Sequence, residues 1–318
     1  MEPQNSPSLQ PNDIIFQFSA PGSFSQGVKR ICFAARSSGL FRSIDGGQTW
    51  ESAYATLNIR EALLTISVVL APDFQHDQTV FAGLNGAILR SHDGGENWQR
   101  GRLPTPPPAI SALVISPKYE QDATIFAGTN EDGVLKSSDG GRNWVAWNFG
   151  LLDLTIFCLA ISPDFGADET LYAGTESGLF RSTNAGRAWK EVPLPVGFDA
   201  VLSLAISPNF AQDNTLFAGT ENKGLLVSQD RGKSWQSPCD GTSAEPVNQI
   251  AFLNTSSTKQ AVLILVGGTP LVSKDAGKTW KLWRGKKLAG RNVTTLLAPD
   301  GLEESVLVGF ENGTIFQI

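Results

Sequence analysis

The sequence predicts an all-β fold, a seven-bladed β-propeller built from four-stranded antiparallel blades. Three observations predict it. An eight-residue motif recurs six times at nearly constant spacing, short apolar runs repeat around each copy, and the 318 residues include 32 glycines and 18 prolines. Glycine and proline in these numbers are typical of a chain with many turns between short strands.

The recurring motif has the form Ser-x-Asp-x-Gly-x-x-Trp, with Asn in place of Asp in the fourth copy. The tryptophans that end the copies are 48, 46, 45, 46 and 45 residues apart. Regular recurrence at this period indicates stacked copies of one structural unit. The motif residues are Ser43, Asp45, Gly47, Trp50; Ser91, Asp93, Gly95, Trp98; Ser137, Asp139, Gly141, Trp144; Ser182, Asn184, Gly186, Trp189; Ser228, Asp230, Gly232, Trp235; and Ser273, Asp275, Gly277, Trp280.

Each motif is accompanied by four short apolar runs. In the fourth unit these are AISP at 160–163, TLYAGT at 170–175, GLFRS at 178–182 and a run that starts at Trp189. Four short strands joined by turns make one propeller blade, in which we take the first strand to be innermost.

The two ends of the chain bear on how the ring closes. Runs at 292–299, 305–310 and 313–318 match the first three strands of a seventh blade, and 14–19 resembles the first strand of blade one. We therefore assign 14–318 to one propeller. We expect residues 1–13, with 8–10 at their centre, to supply the missing outer strand and cover an open edge. A competing register makes 14–19 that outer strand.

The motif itself has a structural explanation. It joins the third and fourth strands through a tight hairpin, in which an Asp carboxylate can accept hydrogen bonds from backbone N–H groups. The glycine two residues after the Asp supplies a positive φ. The Trp is expected to pack as a large apolar plate between neighbouring blades.

These six copies resemble the Asp-box (BNR) repeat, which occurs in sialidases, xyloglucanase-type glycoside hydrolases, sortilin-type receptors and photosystem II assembly factors of the propeller type. The resemblance covers about residues 14–318. It implies a propeller with the Asp-boxes at the blade periphery, on the face away from the ligand site. Because the superfamily includes enzymes, receptors and scaffolds, the resemblance does not choose among these functions.

Composition excludes some functions. The net charge is −6, and nonspecific nucleic-acid binding needs a basic footprint instead. Cys32, Cys158 and Cys239 form no CxxC pair, and no cofactor or metal site is expected. The N-terminus lacks the pattern of a secretory signal, and the apolar runs are too short to span a bilayer, so we expect a cytoplasmic location.

A glycosidase needs two carboxylates that flank the scissile bond. The face opposite the Asp-boxes carries candidates in a recurring turn between the second and third strands, and Asp153 and Asp199 lie in loops on the same face. A ring of such acids can bind a cation or a sugar, or it can be a solvated turn acid copied by duplication. These channel-mouth acids are Glu131, Glu176, Glu221 and Glu311.

One charge anomaly stands out. Residues 278–291 include six basic residues and no acid. The segment can be a docking surface for an acidic protein surface, a lipid headgroup or nucleic acid, or an edge strand protected by lysines. Its candidate partner-binding residues are Lys281, Trp283, Arg284, Lys286, Lys287 and Arg291.

Taken together, the sequence favours a non-catalytic propeller, a scaffold or assembly factor that binds a protein partner. The alternative is a glycan-binding or glycoside-hydrolysing propeller with its site on the face opposite the Asp-boxes.

Overall fold

The computed structural model describes residues 13–22, 30–59, 61–195, 197–238, 245–253, 261–288, 290–302 and 305–318. Seven antiparallel sheets follow one another along the chain, so the predicted seven blades are confirmed. Within each sheet the strands lie side by side in chain order.

The strands of the first four blades have the predicted four-strand pattern. Blade one contains β1 (Ile15–Ser19), β2 (Cys32–Arg36), β3 (Gly39–Ser43) and β4 (Glu51–Ser52); blade two β5 (Thr65–Leu70), β6 (Val80–Leu84), β7 (Ala87–Ser91) and β8 (Gln99–Arg100); blade three β9 (Ile110–Ile115), β10 (Ile125–Thr129), β11 (Val134–Ser137) and β12 (Val145–Ala146); blade four β13 (Ile156–Ile161), β14 (Leu171–Thr175), β15 (Leu179–Ser182) and β16 (Lys190–Val192).

Blades five and seven have three strands each among the described residues, whereas blade six has four. In blade five the fourth strand is reduced to one bridge between Val227 and Gln236. Blade five contains β17 (Val201–Ile206), β18 (Leu216–Thr220) and β19 (Leu225–Ser228); blade six β20 (Val247–Leu253), β21 (Ala261–Val266), β22 (Thr269–Ser273) and β23 (Lys281–Leu282); blade seven β24 (Val293–Leu297), β25 (Leu307–Phe310) and β26 (Ile315–Gln317).

Strand β1 closes the ring from the inside. It pairs with β2, with Phe18 opposite Ala34, and it contacts both β5 and β24. The competing register, in which this run is an outer strand, is therefore wrong. The predicted outer strand of blade seven falls on residues 1–12, which lie outside the described residues.

Short helices connect the first and second strands of blades two to five, a feature that the strand pattern does not predict. Each begins with a buried aromatic residue whose ring packs edge-on against an aromatic of the preceding blade's second strand. These helices are α1 (Phe74–Asp77), α2 (Tyr119–Asp122), α3 (Phe165–Asp168) and α4 (Phe210–Asp213); α5 (Gly285–Leu288) lies after blade six, and a 3₁₀ turn spans Ala55–Leu57. In the part of the chain that the structure describes, no helix is long and apolar enough to cross a membrane.

The Asp-box hairpin is built as predicted. In the third box, Asp139 Oδ1 accepts hydrogen bonds from the backbone N–H groups of Arg142 and Asn143, both at 3.0 Å, and from Ser137 Oγ at 2.8 Å. Burial alone would raise the pKa of Asp139, but these bonds and one from the Asn143 side chain lower it to about 2. In the fourth box, the Asn184 side-chain oxygen accepts the corresponding bond from Ala188 N at 2.9 Å.

The box glycine is required for two reasons. Gly141 has a φ of +77°, and a Cβ added there would lie 2.5 Å from Cε1 of Phe81, a second-strand residue of the preceding blade. Two box tryptophans bond to the preceding blade: Trp98 Nε1 donates to Ala53 O at 2.7 Å and Trp189 Nε1 donates to Trp147 O at 2.8 Å. Trp50, Trp144 and Trp280 donate instead to the carbonyl oxygen of their own box glycine.

Every innermost strand carries a β-bulge near its start, where one residue drops out of the pairing with the second strand. The residue after the bulge often bonds to the next blade's innermost strand; Ser67 Oγ, for example, accepts from Leu113 N at 3.1 Å. The bulge residues are Phe16, Ile66, Ser111, Phe157, Leu202, Asn248 and Thr294, and all of them keep part of their surface exposed.

Candidate functional site

The face opposite the Asp-boxes, here called the mouth face, carries the turns between second and third strands and the loops that lead into the innermost strands. Backbone hydrogen bonds hold the two sets together. Glu176 N donates to Thr155 O at 3.2 Å, and Glu221 N donates to Ala200 O at 2.9 Å. Since Thr155 and Ala200 directly precede innermost strands, these turns lie at the entrance of the channel.

Three of the four predicted channel-mouth acids occupy equivalent turn positions, and the fourth does not. Glu311 N donates to Asn292 O at 3.2 Å, so Glu311 is equivalent to Glu176 and Glu221. In blade three, however, Asn130 N makes the equivalent bond to Ala109 O. Glu131 therefore lies in the predicted turn but one residue further along than the other three glutamates. All four side chains are exposed.

The two loop acids of this face are held by their own turns. Asp153 Oδ2 accepts from Ser177 N and Ser177 Oγ, both at 2.7 Å, and Asp199 Oδ1 accepts from Asn222 Nδ2 at 2.9 Å. Burial would raise the pKa of Asp153, but the bonds from Ser177 and Thr155 lower it. A glycosidase general acid needs a raised pKa, so Asp153 does not fit that role. Among the described residues, no cluster of His, Cys, Asp and Glu can hold a metal ion.

The predicted basic docking segment is only partly available at the surface. Its strand portion is short, because β23 ends at Leu282 and Trp283 N then donates to Pro270 O at 3.0 Å. Trp283 is 7% exposed and packs with Leu288 and Val293 in the core between blades six and seven. The expectation of an exposed tryptophan interleaved with the cations is therefore wrong.

The cations of this segment differ in their surroundings. The Arg291 guanidinium lies 4.4 Å from the centre of the Phe316 ring, and that of Arg284 lies 5.4 Å from the Trp283 ring. Lys281, Lys286 and Lys287 are exposed. The accessible charge is therefore contributed by these lysines on β23 and α5 together with Arg291, which is also exposed.

A cleft of about 590 Å³ lies where the end of blade two meets the box of blade three. Arg102 N donates to Arg142 O at 2.8 Å, and Trp144 N donates to Arg102 O at 3.0 Å, so backbone bonds join the two blades. The lining includes three arginines and no acid: Arg100, Gly101, Arg102, Leu103, Pro104, Thr105, Pro107, Arg142 and Asn143. This is called the arginine cleft below.

The three arginines are exposed, and none of them forms an ion pair within the described ranges. Two are oriented by carbonyl oxygens, since Arg100 Nη2 donates to Gly86 O and Arg142 Nη1 donates to Asp139 O, each at 2.8 Å. The positive field extends to His92, whose pKa is lowered by burial and then by Arg90 and Arg142.

Sequence reasoning missed this cleft because its arginines come from two blades. Arg142 occupies a variable box position, which alone signals nothing. The available signal was Arg100-Gly101-Arg102 before a proline-rich segment. Gly101 is buried, and a Cβ there would lie 2.6 Å from Gly141 O. That close approach is what brings the two blades' arginines together.

Comparisons with known families match the two halves of the chain separately. A family model described as photosynthesis system II assembly factor YCF48 matches residues 32–147, and a model of the DUF6242 beta propeller domain matches residues 165–289. Each covers less than half of the chain. No curated protein matches the sequence.

Solved structures match over nearly the whole chain. A structure of YCF48 bound to D1 peptide is 19% identical with a TM-score of 0.69, covering 97% of this chain and 94% of that one. YCF48 from Cyanidioschyzon merolae is 16% identical, with a TM-score of 0.69 and coverage of 98% and 96%. The GH74 xyloglucanase from Xanthomonas campestris is 15% identical with a TM-score of 0.75, and the match covers 98% of this chain but 53% of the enzyme.

At such identities the structural matches establish the fold alone, and the family models add the type of repeat. The predicted resemblance is confirmed: the chain is a seven-bladed Asp-box (BNR) repeat β-propeller, similar to the assembly factor YCF48 and to GH74 propellers.

Proposed function

We propose that this propeller is a non-catalytic scaffold or assembly factor that binds a protein partner, and the observation that carries the proposal is the arginine cleft. In a chain with a net charge of −6, three arginines from two blades line one concave surface without an acid. A group of arginines on one concave surface without an acid is suited to binding an external anion.

The chemistry of the cleft fits a carboxylate-bearing protein surface. A guanidinium group binds a carboxylate through two parallel N–H···O bonds and is more weakly hydrated than an ammonium group. Leu103, Pro104 and Pro107 add apolar surface beside the three cations. Arginine and apolar contact surface together are typical of protein interfaces.

The comparisons support this class of partner. The YCF48 family model covers residues 32–147, a range that includes all three arginines of the cleft. A similar structure is described as YCF48 bound to D1 peptide, so that protein binds a polypeptide. We carry over only the class of partner, a protein.

The glycosidase alternative receives less support. GH74 propellers share the fold, but their similarity to this chain covers about half of the xyloglucanase. On the mouth face, Asp153 and Asp199 are held by their own turns, and the remaining predicted acids are exposed side chains on separate blades. These placements support a binding role more than hydrolysis, which requires two carboxylates that flank one scissile bond.

Capture of the partner tests the proposal. Tagged protein is crosslinked in the native host, and co-purified proteins are compared between the wild type and an R100Q/R102Q/R142Q variant. We expect the variant to lose a specific acidic partner while its thermal stability is unchanged. A matched control, K118Q/K190Q/K233Q, removes the same charge from exposed lysines that do not line the cleft and should retain the partner.

Two outcomes would overturn the proposal. If the arginine variant and the lysine control behave alike, the cleft does not select the partner, and equal loss of the partner in both would make binding a matter of net charge. Turnover of a glycan by the purified wild-type protein would refute the non-catalytic assignment.

The exposed lysines Lys286 and Lys287 remain our proposal for a second docking contact, and K286E/K287E tests them in the same capture.

A further inference from the structure

The entrance of the channel on the mouth face is apolar at four of its seven bulges. Phe16 and Phe157 are 36% and 37% exposed, and Ile66 and Leu202 are half-buried. A β-bulge re-aims one side chain out of the regular alternation of a strand, and bulges are common beside binding sites. A channel that only holds water has no need for phenylalanine at these positions.

Blades four and five place similar side chains at this entrance, although at positions that differ by one residue relative to the innermost strand. In blade four, Leu154 precedes the innermost strand and Phe157 is its bulge residue. Thr155, between them, accepts the hydrogen bond from Glu176 N. Each blade therefore presents two apolar side chains and one carboxylate at the same end of the channel.

In blade five, Phe198 precedes the innermost strand and Leu202 is its bulge residue, while Ala200 O accepts from Glu221 N. Phe198 is 83% exposed, so a large apolar side chain is left almost entirely in contact with water. Exposed apolar side chains grouped in this way, with polar groups at their edge, mark interaction sites.

The charges at this surface are complementary to a cation. Glu176 and Glu221 are exposed, and neither forms an ion pair with any residue that the structure describes. Lys223 is the one cation within the same two turns. Asp153 and Asp199 already accept hydrogen bonds from these turns, so the two glutamates are the carboxylates left for an incoming group.

We infer that the channel entrance at blades four and five binds a peptide segment of a protein partner in which a bulky apolar side chain lies next to Lys or Arg. The apolar side chain packs among Leu154, Phe157, Phe198 and Leu202, and the cation pairs with Glu176 or Glu221. This site has the opposite charge preference to the arginine cleft. Failure of either proposal therefore leaves the other standing.

Fluorescence anisotropy with three labelled peptides tests the inference on the full chain. The probe is Gly-Lys-Leu-Phe-Lys-Gly, and the comparison peptides are Gly-Glu-Leu-Phe-Glu-Gly and Gly-Lys-Ser-Ser-Lys-Gly. We expect the probe to bind more tightly than both, because the site requires the apolar and the cationic group together. A higher salt concentration should lower the affinity of the protein for the probe peptide, since the charged contacts are solvent-exposed.

Two variants separate the contributions. E176Q/E221Q should lower the affinity for the probe peptide by about three- to tenfold, which is the effect of losing exposed ion pairs. F157S/F198S should weaken both peptides that carry Leu-Phe. The control E120Q/E191Q removes the same charge from exposed positions elsewhere and should leave probe affinity unchanged. Thermal melts check that every variant is folded.

The inference is overturned if the probe binds no better than the serine peptide, or if E176Q/E221Q and its control behave alike. It is also overturned if a neutral oligosaccharide displaces the probe at lower concentration than unlabelled peptide does, since that result would make the entrance a glycan site.

Discussion

The seams between blades one to six and the seam that closes the ring are built differently. At each ordinary seam an aromatic residue of one second strand packs against the next blade's box glycine and a further aromatic. Phe81 meets Gly141 and Tyr119, and its ring lies 5.9 Å from the tyrosine ring. At the closing seam Leu307 takes the aromatic's place against Gly47.

The closing seam adds an ion pair with both side chains buried, which has no counterpart among the described residues of the ordinary seams. Arg36 and Asp13 are 6% and 5% exposed, with Nη1 and Oδ2 3.5 Å apart. Arg36 also donates to Gly313 O of blade seven, and Asp13 Oδ1 accepts from Ser38 N at 3.0 Å. Chain connectivity already holds consecutive blades adjacent. The closing blades depend instead on specific polar contacts between distant parts of the sequence.

A second difference runs along the outer seams. The residue before the box serine donates to the next box's backbone at several seams. Arg90 Nη1 reaches Gly140 O at 3.0 Å, and Arg181 Nη1 reaches Arg231 O at 2.9 Å. In blades five and six this position is Val227 or Val272, which cannot donate. At this position, the described early blades therefore make a polar contact across the seam that blades five and six lack.

Breaking the ion pair should have the largest effect on stability. Asp13→Ala leaves Arg36 buried without its counter-charge, which costs about 3–5 kcal/mol. The free energy of unfolding is measured by urea denaturation. The double variant Asp13→Ala/Arg36→Met should recover part of the loss, because it removes the stranded charge. Equal stability of Asp13→Ala and wild type would show that the closing seam does not depend on this pair.

The ordinary seam can be examined at two adjacent glycines. Gly141→Ala combines a positive φ with a Cβ 2.5 Å from Phe81, and we expect a loss of about 2–5 kcal/mol in urea unfolding. Gly140→Ala is the control. Its nearest neighbour is Tyr119 Oη at 3.2 Å, and Ala185 occupies the equivalent position in box four with a φ of +56°. It should cost only about 1–2 kcal/mol. Equal losses would mean that the aromatic does not set the glycine requirement.

These contacts show where sequence reasoning succeeded and where it stopped. The box hairpin was predictable because Asp139 and Gly141 act on their own turn, within a few residues. The second reason for Gly141, its contact with Phe81, depends on how neighbouring blades meet, which spacing does not report. The buried position of Trp283 was missed for a related reason: a tryptophan among cations looks exposed until the chain's turn after Leu282 is known.

The short helices were missed although they leave a signal. Ser116 Oγ donates to Asp122 Oδ2 at 2.6 Å, and Ser162 Oγ makes the same bond to Asp168 at 2.8 Å. A serine followed six residues later by aspartate thus recurs in register with the boxes. The arginine cleft has no such periodic signal, because it occurs at one seam only.

Removing one polar contact of the early seams should have a moderate effect. Arg181→Val makes blade four resemble blade five, and we expect a loss of about 1–2 kcal/mol in urea unfolding. The loss is limited because Arg231 O keeps a second donor, Tyr172 Oη at 3.0 Å. Lys190→Gln, an exposed cation of the same blade, should change stability by less than about 0.5 kcal/mol. A loss no greater than that of the control would remove the contrast between early and late seams.

The smallest effect should appear only in acid, and it distinguishes box three from box four. The pKa of Asp139 is about 2 in the folded protein, below the value of about 3.9 for an unfolded chain. A depressed folded pKa gives stabilisation that is present above about pH 4 and is lost as the pH falls through about 2. Asn184 in box four does not titrate. Asp139→Asn should therefore make the acid loss of stability shallower, and Asn184→Asp should make it steeper.

Urea midpoints measured between pH 7 and pH 2 give this slope directly. Asp45, Asp93, Asp230 and Asp275 also have pKa values of about 2, so the Asn variant removes one of five such groups and leaves a reduced but clear slope. The pH dependence arises from the hydrogen bonds and not from the charge alone, because the backbone N–H groups converge on Asp139 only in the folded hairpin. An exposed acid without such bonds, Glu191, provides the comparison. If Glu191→Gln changes the acid slope as much as Asp139→Asn does, the box hydrogen bonds are not the source of the pH dependence.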